Sequence, residues 1–248
     1  MPEGDAPVLI LGGTGEARDL AATLVEVGVP VISSLAGRVR DPRLPQGEVR
    51  IGGFGGIAGL AQWLATHQVR AVVDATHPFA AVITANAVEA CALAGVQLLR
   101  LRRDPWVPGA ADRWVRVPDI DTAATEVDGR GRRVLLTTGR QDADAFAGID
   151  SAWFLIRVVD PPTGKLPAHH EILRSRGPYR LEDELELMRS RAIDLLVTKN
   201  SGGELTRAKL RAAALLDVPV VMVDRPTEPP VPTAATASAA ADWVAGLR

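Results

Sequence analysis

Val8-Leu9-Ile10-Leu11-Gly12-Gly13-Thr14-Gly15-Glu16-Ala17-Arg18 joins an unbroken apolar run to a glycine turn, and the turn to the helical periodicity of residues 16–27. An apolar run without polar alternation predicts a strand covered on both faces. The glycines predict a sharp connection, and the helix beyond them presents backbone amides whose partial positive charge suits a phosphate. The dinucleotide fingerprint GxGxxG is met only in part, because Arg18 stands where its third glycine belongs. Such a turn also serves simply to close a strand-to-helix connection, so the nucleotide site is an expectation that the rest of the chain must support.

Outward from this stretch the pattern repeats. Apolar strands are expected at VPVISS (29–34), EVRIG (48–52), AVVDA (71–75) and VQLLRL (96–101), with helices between most of them. Strand and helix in alternation, with Val, Leu and Ile filling the strands, imply a parallel sheet flanked by helices. Asp104-Pro105-Trp106-Val107-Pro108-Gly109 breaks the pattern, which restarts at RWVRV (113–117), RVLLTT (133–138), AWFLIRV (152–158), DLLVTK (194–199) and VPVVMV (218–223). The expected architecture is α/β: two lobes, residues 1–103 and 104–248, each a parallel sheet flanked by helices, with a cleft between them. A last helix within residues 233–247, capped by Thr233 or Thr236, could pack on either lobe.

Composition sets limits. A chain of 248 residues, 47% hydrophobic with a formal net charge of -2, can bury a substantial core. Its near-neutral balance argues against a general nucleic-acid binder, which needs a basic face. Apolar stretches are interrupted well before the ~20 residues that span a membrane, and MPEGDAP has no signal-peptide pattern. A cytoplasmic protein without membrane contact is expected. Cys91, the lone cysteine, lies in AVEACALAG (87–95) and reads as helix packing. No CxxC or HExxH is present, so no metal site is expected, and His169-His170 reads as a solvated loop.

In parallel sheets ligands sit beyond the carboxyl ends of the strands, and four such loops carry unusual residues. After the first strand, Gly12, Gly13, Thr14, Gly15 and Glu16 are candidates for holding a cofactor phosphate. About 20 residues past the glycines, where an NAD site carries an acid, the chain has Ser33, Ser34 and then Arg38. Hydroxyls and a guanidinium in that place suit a ribose 2′-phosphate, so NADPH is preferred over NADH.

After AVVDA come Asp74, Thr76, His77, Pro78 and Phe79. Thr76 and Pro78 suit a helix start, while the His77 imidazole can donate a hydrogen bond or a proton. After RVLLTT, Gly139 and Arg140 offer a backbone turn and a fork for an anion. After DLLVT, Lys199, Asn200, Ser201, Gly202 and Gly203 precede a helical pattern; GxxxxGK[ST] does not fit, so this is no Walker loop. Arg100, Arg102 and Arg103, with Arg174, Arg176 and Arg180, could form a carboxylate-binding rim.

These loops in this order, LGGTGEAR (11–18), DATHPFA (74–80), LLRLRRDPW (98–106), LLTTGR (135–140), RGPY (176–179) and VTKNSGG (197–203) followed by VVMVDRP (220–226), resemble the precorrin-6A reductase family, including its cobalt-precorrin-6A branch. The resemblance covers nearly the whole chain. It implies NADPH-dependent reduction of the C18–C19 double bond of precorrin-6A to precorrin-6B, in the making of cobalamin. Cofactor and tetrapyrrole would lie between two Rossmann-like lobes, with Asp74, His77, Arg102, Tyr179, Lys199, Ser201, Gly202 and Gly203 on the substrate side. His77 and Lys199 are the candidate proton donors, and Gly12 to Glu16, Ser33, Ser34, Arg38, Thr76, Gly139 and Arg140 the cofactor residues. Asn200 departs from the acidic residue expected there in many relatives. The rival readings are the cobalt-containing substrate, a flavin electron carrier suggested by the TGE turn, and an NADP sensor without enzymatic activity.

Overall fold

Val8 to Leu11 form strand β1 (Val8–Leu11), buried along its whole length as its uninterrupted apolar sequence requires. Helix α1 (Gly15–Glu26) follows, its end closed by Thr14, whose side chain accepts from the Ala17 amide. Its buried residues Ala17, Leu20, Ala21 and Leu24 recur at helical spacing on one face. Strands β2 (Val31–Leu35) and β3 (Glu48–Ile51), helix α2 (Gly56–Thr66), strand β4 (Ala71–Asp74), helix α3 (Ala81–Ala94) and strand β5 (Gln97–Leu101) complete this stretch. Alternate β1 residues enter different cores: Val8 and Ile10 with Leu20 and Leu24 on one face, Leu9 and Leu11 with Leu60, Leu64 and Cys91 on the other. The computed structural model describes residues 6–37, 42–130 and 132–247; Arg38 lies outside them.

The second stretch holds β6 (Trp114–Val117), α4 (Ile120–Asp128), β7 (Arg133–Leu136), a 3-10 turn (Ala143–Phe146), β8 (Trp153–Val158), β9 (His170–Arg174), α5 (Leu181–Ser190), β10 (Leu195–Lys199), α6 (Ala208–Leu215) and β11 (Val220–Val223). Its sheet runs β6-β11-β10-β7-β8-β9, parallel throughout. Leu135, Leu155, Leu196, Val220 and Met222 of the sheet pack with Met188, Leu210 and Ala213 of the helices. His170, expected in a solvated loop, opens β9: its ring Nδ1 lies 2.7 Å from the Pro167 carbonyl, and Phe154 pairs with it in the sheet. Strand β9 alternates too weakly to be seen beforehand, because its residues are only half-buried at the sheet edge.

Past β11 the chain leaves this sheet. Strand β12 (Thr233–Ala234) pairs with Arg100 and Leu101 of β5, and α7 (Ala237–Ala245), capped by Thr236, packs Ala240 and Val244 into the core that holds α1. The two compact units are therefore Met1–Asp104 with Thr227–Arg248, and Pro105–Pro226. This corrects the expected division at 103/104 with one continuous second lobe. The physical reason is the open edge of β5: the amides of Arg100 and of Arg102, just past its end, donate to the Pro232 and Ala234 carbonyls at 2.9 and 2.8 Å.

With β12 in place, the first sheet reads β3-β2-β1-β4-β5-β12, parallel throughout. This is the doubly wound order, its sixth strand supplied from the far end of the chain. The second sheet has the same core order in β9-β8-β7-β10-β11, but its sixth position is filled by β6, which precedes the core. Each unit thus has one point where the winding reverses, between β1 and β4 in the first and between β7 and β10 in the second. The four loops singled out from sequence are the four that leave those strands.

Candidate active site

At the β1/β4 reversal, one connection leaves toward β2 and the other toward β5, so the loops part and leave a recess. It is shallow and open to solvent, lined by Thr14, Glu16, Ala75, Thr76, Pro78, Leu101, Arg102 and Arg103. Gly12 closes against β2, its amide donating to the Ser34 carbonyl at 2.9 Å. Gly13 has φ 112°, a conformation closed to residues with a Cβ. The next amides open α1 and lack intrahelical acceptors, the geometry that suits an anion.

Two expected contacts of this loop are used within the protein. Thr14 Oγ1 accepts from Ala17 and donates to the Ala75 carbonyl at 2.8 Å, tying the β1 loop to the β4 loop, so a ligand meets the turn through its backbone. Glu16 forms an ion pair with Arg103 at 2.7 Å, which offsets a carboxylate that would otherwise repel a phosphate.

Asp74 is a correction. Expected on the substrate side, it is 1% exposed: Oδ1 accepts from the Thr76 amide (3.0 Å) and hydroxyl (2.7 Å), Oδ2 from Thr84 (2.6 Å). Thr76 Oγ1 is committed to that carboxylate and not to a cofactor. Arg100, expected on a surface rim, is also 1% exposed; it lies 3.5 Å from Asp74, bonds the Asp74 and Thr76 carbonyls, and grips Glu228 at 2.9 Å. A buried charge persists only when paired and hydrogen-bonded, and these residues satisfy one another. Arg102 also reaches Glu228, at 2.9 Å, but is 36% exposed and keeps a face on the recess.

The cluster fixes the loop that carries His77. His77 lies between two residues lining the recess, and its Nδ1 accepts from the Phe79 amide at 3.3 Å. That bond assigns the neutral ring's proton to Nε2.

Ser33 and Ser34 are consecutive in β2 and face opposite sides of the sheet. Ser33, 1% exposed with Oγ sealed in the interior, is not presented to a ligand, which corrects its expected role. Ser34 meets a residue that sequence reasoning passed over: Arg50, its register partner on β3, whose Nη1 donates to Ser34 Oγ at 2.6 Å. Burial lowers the Arg50 pKa from its usual value, and the guanidinium stays charged.

In the second unit, Lys199 at the end of β10 pairs with Asp142 at 2.5 Å. Gly139 has φ 101° after β7, and Arg140 beside it forms no ion pair with a described residue. Asn200 is structural: Oδ1 accepts from the Trp106 amide at 2.8 Å and Nδ2 donates to the Trp106 carbonyl at 3.1 Å. An ionised acid could make only the first of these bonds. Trp106 Nε1 donates to the Gly203 carbonyl at 2.8 Å, and Arg225 binds the Asn200 and Ser201 carbonyls. Ser201 turns back onto the Lys199 carbonyl, and Gly202 and Gly203 have φ 70° and 76°. Tyr179 bonds the Ser175 carbonyl at 3.2 Å and lies over the guanidinium of Arg157, itself paired with buried Glu184.

The sequence model of the family described as precorrin-6x reductase CbiJ/CobK matches residues 7–245. The chain belongs to that family. Two relatives named precorrin-6A reductase, from Rhodococcus erythropolis and from Mycobacterium tuberculosis, are each 53% identical over 242 residues, covering 97% of this chain and 98% of the relative. A solved structure of CobK precorrin-6A reductase superposes with a TM-score of 0.91 at 42% identity, covering 97% of this chain and 96% of that one.

In this precorrin-6x reductase family member, the polar pairings that sequence reasoning missed share one property: the partners are distant in the chain. Arg50 is 16 residues from Ser34, Arg103 is 87 from Glu16, and Arg100 is 128 from Glu228. The only local signal for Arg50 was a charged residue inside the strand pattern EVRIG. Among the described residues, no helix is long and apolar enough to cross a membrane.

Proposed function

We propose that this chain reduces precorrin-6A to precorrin-6B in cobalamin biosynthesis, using NADPH held by its first unit. Membership of a reductase family supports the reaction class, and the names of its relatives support the substrate. The observation that carries the cofactor reading is the β1/β4 reversal: Gly12 and Gly13 bring backbone to the mouth of α1, while Ser34 and Arg50 meet near the end of β2, where the ribose of a bound dinucleotide would lie. These residues fit a nicotinamide dinucleotide carrying a 2′-phosphate.

When bound, the cofactor supplies a hydride to one carbon of the C18–C19 bond, and the other carbon takes a proton. The protein's share is to bind, orient and protonate. The α1 amides and Gly13 hold the diphosphate. Asp74, Thr84 and Arg100 lock the loop that presents His77, whose Nε2 proton is the one we assign to the second carbon. Arg140 and the turn through Ser201, Gly202 and Gly203 are assigned to the macrocycle's carboxylates, where a planar fork or aligned amides suit an anion. Holding the two reactants in register supplies most of the rate, since well-oriented pairs gain as much as ~7–11 kcal/mol.

The test is anaerobic NADPH oxidation with metal-free precorrin-6A, beside cobalt-precorrin-6A and an NADH control. Turnover with NADPH and the metal-free macrocycle supports the reading. Turnover with the cobalt form alone moves the chain to the other branch, and NADP+ binding without reduction of either macrocycle favours a sensor. His77→Ala is expected to lower kcat about 10²-fold or more while the Kd for NADP+ stays put; full turnover at saturating substrate would remove His77 as the donor.

A further inference from the structure

Arg50 is held more firmly than a strand residue needs. Its Nη1 donates to Ser34 Oγ at 2.6 Å and to the Gly52 carbonyl at 3.0 Å, and its Nη2 donates to the Gly53 carbonyl at 3.0 Å. The guanidinium lies on the face of Phe54, 3.7 Å from the ring centroid, and Phe54 is itself braced edge-on by Trp63 at 5.4 Å. An arginine has five N–H donors. Among the described residues these contacts use three of them and leave Nε–H and one Nη2–H, a pair of adjacent donors on a group that is already oriented.

The place matters as much as the geometry. In a doubly wound sheet of this order, the end of the second strand meets the ribose of the adenosine half, and an acid there selects a free 2′-hydroxyl. Here Ser34 is the last residue but one of that strand, and its β3 register partner Arg50 brings in a cation. A pre-oriented guanidinium binds a phosphate through two parallel charge-assisted bonds, which a hydroxyl does not reproduce. Stacking on an aromatic face fixes the group's plane and adds an attraction of its own.

We propose that Arg50, seated on Phe54 and aimed by Ser34, is the residue that recognises the 2′-phosphate and sets the preference for NADPH over NADH. This rests on the cofactor reading above. Phe54 is a positioning residue that acts through Arg50.

The test is direct binding to the full-length protein, without substrate, by calorimetric titration of NADP+, NAD+, 2′,5′-ADP and 5′-AMP. Arg50→Gln is expected to weaken NADP+ and 2′,5′-ADP at least ~10-fold, as loss of bonds to a charged group implies, and to leave NAD+ and 5′-AMP within about 2-fold. Phe54→Leu is expected to give the same selective loss at smaller size. Equal weakening of all four ligands, or unchanged NADP+ affinity in a variant that melts cooperatively, overturns the proposal and leaves Arg50 as a staple of the β3–α2 loop. If wild-type protein binds none of the four, the cofactor reading falls as well, so the two failures differ. Should Arg50→Gln not fold, Arg50→Lys keeps the charge without the fork, and an unaltered NADP+ to NAD+ ratio there is equally fatal.

Discussion

Replacing Thr84 by Val tests whether the buried Asp74 cluster holds the His77 loop. Thr84 is 2% exposed in the first turn of α3, and its hydroxyl donates to Asp74 Oδ2 at 2.6 Å. Valine has nearly the same shape and a similar helix propensity, so neither a cavity nor a backbone effect enters. What goes is one hydrogen bond to a charged acceptor, about 1.5–3 kcal/mol. The Oδ1 atom keeps both Thr76 donors and its neighbour Arg100, so the carboxylate is not stranded and the estimate stays near 2 kcal/mol. At ~2–4 °C per kcal/mol for a chain of this size, the melting temperature should fall about 4–8 °C. Denaturant unfolding should show a lower midpoint at unchanged m, and amide exchange should rise at Thr76. Thr84→Ser, which keeps the hydroxyl, should recover part of the loss. A Thr84→Val protein within 0.5 kcal/mol of wild type, with Thr76 equally protected, would refute the account of Asp74 as the anchor of this loop.

Trp106→Phe removes the indole donor to Gly203 and weakens the ring beneath Lys209, and should cost about 1–2 kcal/mol, with faster amide exchange confined to residues 199–203; loss spread over the first unit as well would contradict it. Burial, with the Asp74 carboxylate adding to it, pushes the Cys91 thiol up to about 12. Its folded pKa thus lies above the unfolded one, near 8.5, so the contribution of the neutral thiol to stability is complete below about pH 8.5 and is lost as pH rises toward 12. The denaturant midpoint of wild type should fall more steeply over that range than that of Cys91→Ala, and native protein at pH 8 should resist alkylation at Cys91; parallel curves or fast labelling would count against it.

Two kinds of residue separate what could be read from sequence from what could not. Thr14 and Thr236 cap their helices through the amide three residues on, and a cap of that kind is written in the adjacent sequence. Asn200 illustrates the opposite case. Its amide forms a matched pair with the backbone of Trp106, 94 residues away, so the departure from an acid there has a reason that only the fold supplies. Asp74 and Thr76 looked like ligand residues because they sit at a strand end, yet their polar atoms face inward. The strand β12, two residues long, has no periodicity to detect.

By itself the sequence determined the alternation of strands and helices, the parallel character of both sheets, the glycine turn before α1, and the loops at which chemistry would gather. All of these follow from neighbours within about four residues, where hydrophobic period and turn stereochemistry act. The tertiary structure decided the strand order, the return of residues 233–247 to the first unit, the burial of Arg100 with Asp74 and Glu228, and the meeting of Arg50 with Ser34. The reason is register: a polar side chain's partner is set by which strand lies beside it and at what offset, and that depends on the packing of the whole sheet.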